Sequence, residues 1–169
     1  MEKKEFITPF MLDDNIFKLI SKDWMLITAG DRTKCNTMTA SFGGFGVLFF
    51  KNVAYIYVRP ERYTFEFLES KPQFSLSFFD ETYRSVLQNC GSTSGRDVDK
   101  IANNNLEVLY TQDDTPYFSQ ARITMICKKI YAQDLSRDCF IDKQADQKTY
   151  SSGGVHRMYV GEILSIIKW

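Results

Sequence analysis

The 169-residue chain carries 21 basic and 21 acidic side chains, one histidine and four cysteines, and 15% of its residues are aromatic. Zero net charge supplies no long-range field to draw in nucleic acid or an anionic membrane, because sequence-independent affinity for nucleic acid comes from neutralising phosphates. The lone His156 excludes metal sites that need two or three imidazoles and leaves a triad-type hydrolase only that one base.

The length fits one domain, residues 1–169, able to bury roughly 70% of the surface its unfolded form exposes and so to hold a core without staples. Cys35, Cys90, Cys127 and Cys139 form no C-x-x-C pair and read as reduced thiols of an intracellular protein. Charged residues run through Asp13-Asp14 before any apolar run of signal-peptide length, and the longest apolar stretch, Phe45 to Phe50, is far short of the ~20 residues that span a bilayer. The expectation is a soluble, cytoplasmic protein with no membrane and no nucleic-acid partner.

Taken in chain order, residues 13–22 place Ile16, Phe17 and Ile20 on one face of a short helix with acids in its first turn. Trp24 to Thr28 reads as a strand, and Asn36 to Phe42 as a second that ends at Gly43-Gly44. Val53 to Val58 is β-branched and aromatic throughout, the pattern of a strand buried on both faces. Thr64 caps a turn carrying Phe67 and Leu68. Phe74 to Phe78 alternates strictly, with Phe74, Leu76 and Phe78 inward and the serines on the other face. Tyr83, Val86, Leu87 and Cys90 recur at helical spacing before Gly91, which is expected to end that helix. Ser94 to Asp97 fits a capping box ahead of Val98, Ile101 and Ala102. Gln112 to Pro116 and Asp142 to Gly154 read as loops, and two long β segments, Arg122 to Gln133 and Arg157 to Ile167, close the chain. Short helices scattered among strands argue for a mainly β barrel rather than a doubly wound sheet.

Neither G-x-G-x-x-G nor G-x-x-x-x-G-K-[ST] occurs, so a Rossmann site is not expected. Four clusters carry more chemistry. Asn36-Thr37-Met38-Thr39-Ala40-Ser41 is a strand of small and hydroxyl side chains that leaves its backbone open to a flat ligand, and it also fits an ordinary solvated strand face. Arg59-Pro60-Glu61-Arg62-Tyr63-Thr64 gathers two arginines and a hydroxyl at the start of a helix, suited to a phosphate or, equally, to a salt-bridged corner. Cys90 to Lys100 collects Gly91, Ser92, Thr93, Ser94, Gly95, Arg96 and Lys100 in an anion-binding composition, or a plain helix cap with a flexible approach. His156 opens the strand His156-Arg157-Met158-Tyr159-Val160-Gly161-Glu162-Ile163, where it either touches a ligand or sits at a loop edge.

In this order and at these separations, N-T-M-T-A-S, R-P-x-R-Y-T, C-G-x-x-S-G-R-D-V-D-K and H-R-M-Y-V-G-E-I resemble the flavin reductase-like proteins of the FMN-binding split-barrel group, above all the flavoredoxin branch, over Trp24 to Ile167. The resemblance implies a homodimeric, six-stranded antiparallel split β-barrel of Greek-key type with short peripheral helices, binding FMN non-covalently. Carried over by position, Asn36, Thr37, Met38, Thr39 and Ala40 border the isoalloxazine; Arg59, Arg62, Tyr63 and Thr64 hold the phosphate side; Ser92, Ser94, Gly95 and Lys100 contribute from the glycine-rich turn. His156 matches the histidine of the broader family's G-D-H motif, beside nicotinamide or flavin, although Val155 replaces the acid that precedes it there.

A flavin carries its redox chemistry in its own ring, so the implied site needs neither a triad nor a metal. The function so implied is an FMN oxidoreductase that takes hydride from NADH or NADPH and passes electrons to an unidentified acceptor, with His156 as its catalytic contact. The alternatives are an FMN electron carrier reduced by a partner protein, which Val155 favours, and a non-enzymatic barrel that acts as a binding module.

Overall fold

The computed structural model describes residues 4–169. Its strands, numbered along the chain, are β1 (Glu5–Ile7), β2 (Met25–Gly30), β3 (Cys35–Ala40), β4 (Gly44–Leu48), β5 (Lys51–Val58), β6 (Gln73–Phe78), β7 (Val108–Tyr110), β8 (Pro116–Phe118), β9 (Ile123–Asp134) and β10 (Arg157–Lys168). The helices are α1 (Ile16–Lys18), α2 (Tyr63–Ser70), α3 (Arg84–Ser92), α4 (Lys100–Asn103) and α5 (Lys143–Thr149).

One antiparallel sheet runs in the order β3-β2-β6-β9-β10-β5-β4, with β1 added along β10, and β7 and β8 form a separate hairpin. The mainly β, antiparallel class is as expected. The expected six-stranded split barrel is corrected: ten strands form among the described residues, and the sheet does not close, its ladder ending at β3 on one side and β4 on the other. The additional strands are β1, β4, β7 and β8. Three of these are only three residues long, too short for periodicity to register, and β4 interrupts its apolar residues with Gly44 and Gly46.

Strand alternation builds the core. Met25, Ile27 and Ala29 of β2, Phe74, Leu76 and Phe78 of β6, and Ile123, Met125 and Cys127 of β9 share one buried face with Ala54, Ile56 and Val58 of β5. The opposite face of β2 and β6 is also covered, by a second cluster in which Leu26 packs with Leu87, Cys90 and Phe118. Ser75 and Ser77 are therefore buried and satisfied, Ser75 Oγ donating to Pro116 O at 2.6 Å. In β5, Tyr55 and Tyr57 remain half-exposed, so this strand is not buried on both faces.

Several local expectations shift. The first helix begins later, at the Asn15 cap, and passes into a π-helical turn, Leu19–Asp23, that buries Leu19 and Ile20 while Phe17 stays 85% exposed. Asp14 pairs instead with Arg122 at 2.7 Å. Gly91 lies inside the last turn of α3 and does not end it; a Cβ there would sit 3.3 Å from the Thr39 side chain, so its role is close helix-to-strand approach. Ser94 organises a turn, and the cap of α4 is Asp99, whose carboxylate accepts from the backbone of Ile101 and Ala102. The segment read as a loop at 142–154 contains α5, capped by Asp142.

β9 and β10 pair along almost their whole length, with register shifts at Val160/Gly161 and Ile163/Ser165 that let the long strands bend. Gly161 sits at one of these shifts, where a Cβ would come within 2.6 Å of the Phe74 ring. Gly161→Val is expected to destabilise the fold by ~1–3 kcal/mol through overpacking. A urea midpoint equal to that of the wild type would show that Phe74 moves aside freely.

Candidate functional site

Three segments converge beside β3: its own outer edge, the corner Arg59 to Thr64 between β5 and α2, and the connection Ser92 to Lys100 between α3 and α4. Because β3 ends the sheet path, one edge of its backbone has no strand partner. The Asn36 carboxamide ties this strand to α2, its Nδ2 donating to Thr64 Oγ1 at 2.8 Å and to Thr37 O at 3.3 Å. Gly95 passes so close that a Cβ would fall 2.0 Å from Asn36 Oδ1 and 3.1 Å from the Tyr63 ring.

Two cations close this corner from below. Arg62 Nη2 donates to Gly91 O at 2.8 Å, and Lys100 Nζ donates to Cys90 O at 2.9 Å, so both reach the carbonyl end of α3. Lys100 is only 4% exposed. Burial pushes its ammonium down to about 8 and the nearby Arg62 guanidinium adds to the depression; burial also lowers the Arg62 value. Among the described residues neither cation has a carboxylate partner, whereas Arg96 pairs with Glu66 and Arg157 pairs with both Glu69 and Asp134.

The cations face a cavity of about 130 Å³ lined also by Met38, Glu61, Tyr63, Thr64, Ser92, Thr93, Ser94 and Gly95, with Glu61 Oε1 engaged by the Gly154 N–H. A larger space of about 460 Å³ shares Ser92 with that cavity and is lined by Trp24, Thr39, Ser41 and Gly91. A third, of about 440 Å³, opens on the other side of Tyr63 and Gly95 and is lined by Arg32, Lys34 and Arg96.

Most of the site residues expected from the sequence therefore meet. Asn36 supports the corner, Thr39 lines the larger space, and Met38, Arg62, Tyr63, Thr64, Ser92, Ser94, Gly95 and Lys100 surround the small one. Thr37 and Ala40 do not turn their side chains to it: Thr37 Oγ1 lies 2.9 Å from Thr28 Oγ1 and bonds Ile27 O, while Ala40 is in the core. Arg59 also stands apart. Its guanidinium donates to Thr149 O at 2.6 Å and Ser152 O at 3.2 Å and lies over the Tyr150 ring. His156 is buried beside this second cluster, Nδ1 2.7 Å from Tyr150 Oη and its ring edge-on to Phe42 at 5.2 Å. Burial, aided by Arg59 and opposed by Glu61, holds the imidazole below its ordinary value and therefore neutral near pH 7. Thr93, part of the anion-binding run but not carried over to the site, lines the small cavity, and Trp24 and Gln88 line the larger one although nothing in their sequence context marks them as site residues.

Two cations without an ion-pair partner among the described residues stand at one end of a strand edge that has no strand partner, an arrangement with the chemistry to hold an anion-bearing ligand on an antiparallel β scaffold. The model of the flavin reductase like domain matches residues 17–167, and the chain belongs to that family. Among solved structures it is similar to a flavoredoxin of Methanosarcina acetivorans, at 20% identity over 87% of this chain and 68% of that one, with a TM-score of 0.69. It is also similar to an FMN-binding domain of flavin reductases-like enzyme from Shewanella baltica, at 15% identity over 98% and 77% of the two chains and a TM-score of 0.71. An NADH:FAD oxidoreductase of Streptomyces globisporus shares 16% identity over 87% and 74%, with a TM-score of 0.64. At these identities the likeness is one of fold. No curated protein matches the chain in sequence.

The depressed Lys100 ammonium has a consequence for stability. Between about pH 8 and its ordinary 10.5 the unfolded chain binds a proton that the folded chain lacks, so this residue makes stability rise with pH across that window. Urea denaturation from pH 7.5 to 10.5 is expected to show that rise in the wild type and a flatter profile in Lys100→Met; parallel profiles would remove the assignment.

Proposed function

We propose that the chain is a single FMN-binding domain that works as an oxidoreductase, taking electrons from NADH or NADPH and delivering them to a further acceptor. The observation that carries the cofactor is the pair Arg62 and Lys100, cations that among the described residues have no ion-pair partner, facing a small cavity whose one carboxylate, Glu61, is bonded to the Gly154 N–H. Buried charge is ordinarily paired, and a phosphate dianion supplies the missing partner. The flavin reductase like family and the FMN-binding neighbour support FMN as the occupant.

When bound, FMN supplies the electron-accepting ring, and the chain has to bind and orient it. Arg62 and Lys100 hold the phosphate, with the Ser92 and Ser94 hydroxyls and the backbone around Gly95 beside it. The unpaired edge of β3 offers N–H and C=O groups to the flat ring, with Thr39 and Ser41 beside it. Thr37 and Ala40 take part through backbone alone, since their side chains face inward. Arg59 acts at one remove, by fixing the 149–152 segment next to His156. His156 is the contact for the nicotinamide.

Homodimer formation is part of this reading. Val47, Phe49 and Phe50 form an apolar tip at 68%, 60% and 105% exposure, a cluster whose burial favours association. Among the described residues no helix is long and apolar enough to cross a membrane. The four cysteines are free, as a reducing cytoplasm would keep them. A second reading, an FMN carrier reduced by a partner protein with no nicotinamide site, is favoured by Val155.

Titration of the purified protein with FMN, followed by flavin fluorescence, is expected to saturate. Lys100→Met is expected to weaken binding by ~10- to 150-fold, the worth of a hydrogen bond to a charged group. Wild-type affinity is expected to fall as pH rises through 8, when Lys100 loses its proton, and unchanged affinity in the variant would remove the phosphate assignment. Anaerobic mixing of the loaded protein with each nicotinamide then decides between readings: bleaching supports the reductase, and a flavin that stays oxidised with both favours the carrier.

A further inference from the structure

Beyond the cation-lined groove lies a different kind of cavity, of about 340 Å³, walled by Phe42, Tyr57, Leu135, Phe140, Tyr150 and His156. Its walls carry no carboxylate and no free cation. The nearby Arg59 has its guanidinium engaged with two backbone carbonyls and the Tyr150 ring. The polar side chains that remain are Tyr57, Thr149 and the buried pair of His156 and Tyr150. A mostly aromatic cavity of this volume with a few convergent polar groups suits a small uncharged ring and disfavours a phosphorylated one.

The pair also fixes which hydrogen the cavity meets. His156 is neutral and uses Nδ1 on Tyr150 Oη at 2.7 Å. Tyr150 Oη has no other partner among the described residues, so its proton goes to Nδ1; the reverse arrangement leaves a buried hydroxyl proton unpaired, at a cost of about 1–3 kcal/mol. Nδ1 is then the acceptor, and the ring proton sits on Nε2. Nε2 has no protein partner, and among the described residues no buried side-chain nitrogen or oxygen is left unpartnered, so Nε2–H opens to the cavity.

We propose that this cavity binds an uncharged aromatic carbonyl compound whose oxygen accepts a hydrogen bond from His156 Nε2–H, with Tyr150 as the positioning residue that holds His156 in that tautomer. Phe42, Tyr57 and Phe140 sandwich the ring, and Leu135 closes one wall. Binding itself does not need the flavin; only the compound's service as an electron acceptor rests on the function proposed above.

Acetophenone is the probe. Because His156 is the chain's one histidine, its two ring nitrogens give an unambiguous long-range 1H–15N spectrum. The wild type is expected to show the Nε2–H tautomer, saturable acetophenone binding, and a shift of the Nε2 resonance on binding. Tyr150→Phe is expected to mix the tautomers and weaken acetophenone by ~2- to 12-fold, the worth of one neutral hydrogen bond, with FMN affinity unchanged. Leu135→Trp, or Phe140→Trp should the first fail to fold, fills the cavity and is expected to abolish acetophenone binding while FMN still binds. An Nδ1–H tautomer in the wild type, absence of saturable binding, or binding that survives the filled cavity would each overturn the proposal. Acetophenone binding without FMN binding would sink the flavin reading and leave this cavity standing.

Discussion

The ladder between β9 and β10 sets the position of everything that matters in this protein. It runs from Ile123 opposite Lys168 to Asp134 opposite Arg157, and β10 lies against β5 on its other side, with Arg157 opposite Val58. That double pairing brings the end of β5 and the beginning of β10 together. Arg59, one residue past β5, and His156, one residue before β10, become neighbours although 97 positions separate them. On the far side β9 holds β6, β6 holds β2, and β2 holds β3 at the rim, where its outer edge is left without a strand. Gly161 is a position at which this ladder leaves no room for a Cβ beside the Phe74 ring.

The groove at that rim carries an electrostatic imbalance. Lys100 is drawn out of water and Arg62 partly so, among the described residues each hydrogen-bonds only a backbone carbonyl, and the two cations repel each other. The carbonyl end of α3 offsets part of the cost, since the last turn of a helix carries partial negative charge. Carbonyl dipoles do not neutralise two formal charges, and the deficit that remains is the affinity available to an anion. The second cavity works by the opposite physics. There the nearby charge is already matched within the protein, Arg59 to carbonyls, and aromatic surface is what is left to offer.

Much of this was legible along the chain. The strict alternation of Phe74 to Phe78 and the hydroxyl-rich strand at Asn36 announce themselves through local pattern and form strands where expected, and the arginine-bearing corner and the glycine-rich approach to Lys100 come together beside the latter, although Arg59 stands apart. Other features leave no local trace. The two-residue turn between β4 and β5 is Phe49-Phe50, both left-handed at φ 52° and 59°, where asparagine and glycine are the residues that mark such a hairpin. The segment at 142–154 looked like a loop because its polar residues have no apolar face, yet Asp142 caps a helix whose Asp146 is held by Arg137. Asp13-Asp14 looked like the first turn of a helix, but Arg122 and Lys168, distant in sequence, take those carboxylates.

The sequence by itself determined the class of fold, the two long C-terminal strands, and the set of residue types able to hold an anion beside a flat ligand, because these follow from periodicity and side-chain chemistry that neighbouring residues share. Tertiary structure alone decided how those residues divide. It turned Thr37 and Ala40 inward, gave Arg59 to the 149–152 segment, left Arg62 and Lys100 without a counter-charge, and paired His156 with Tyr150. The reason is that orientation within a strand and the partner of a charge are set by pairing between segments, and that information lies in the packing of the whole chain.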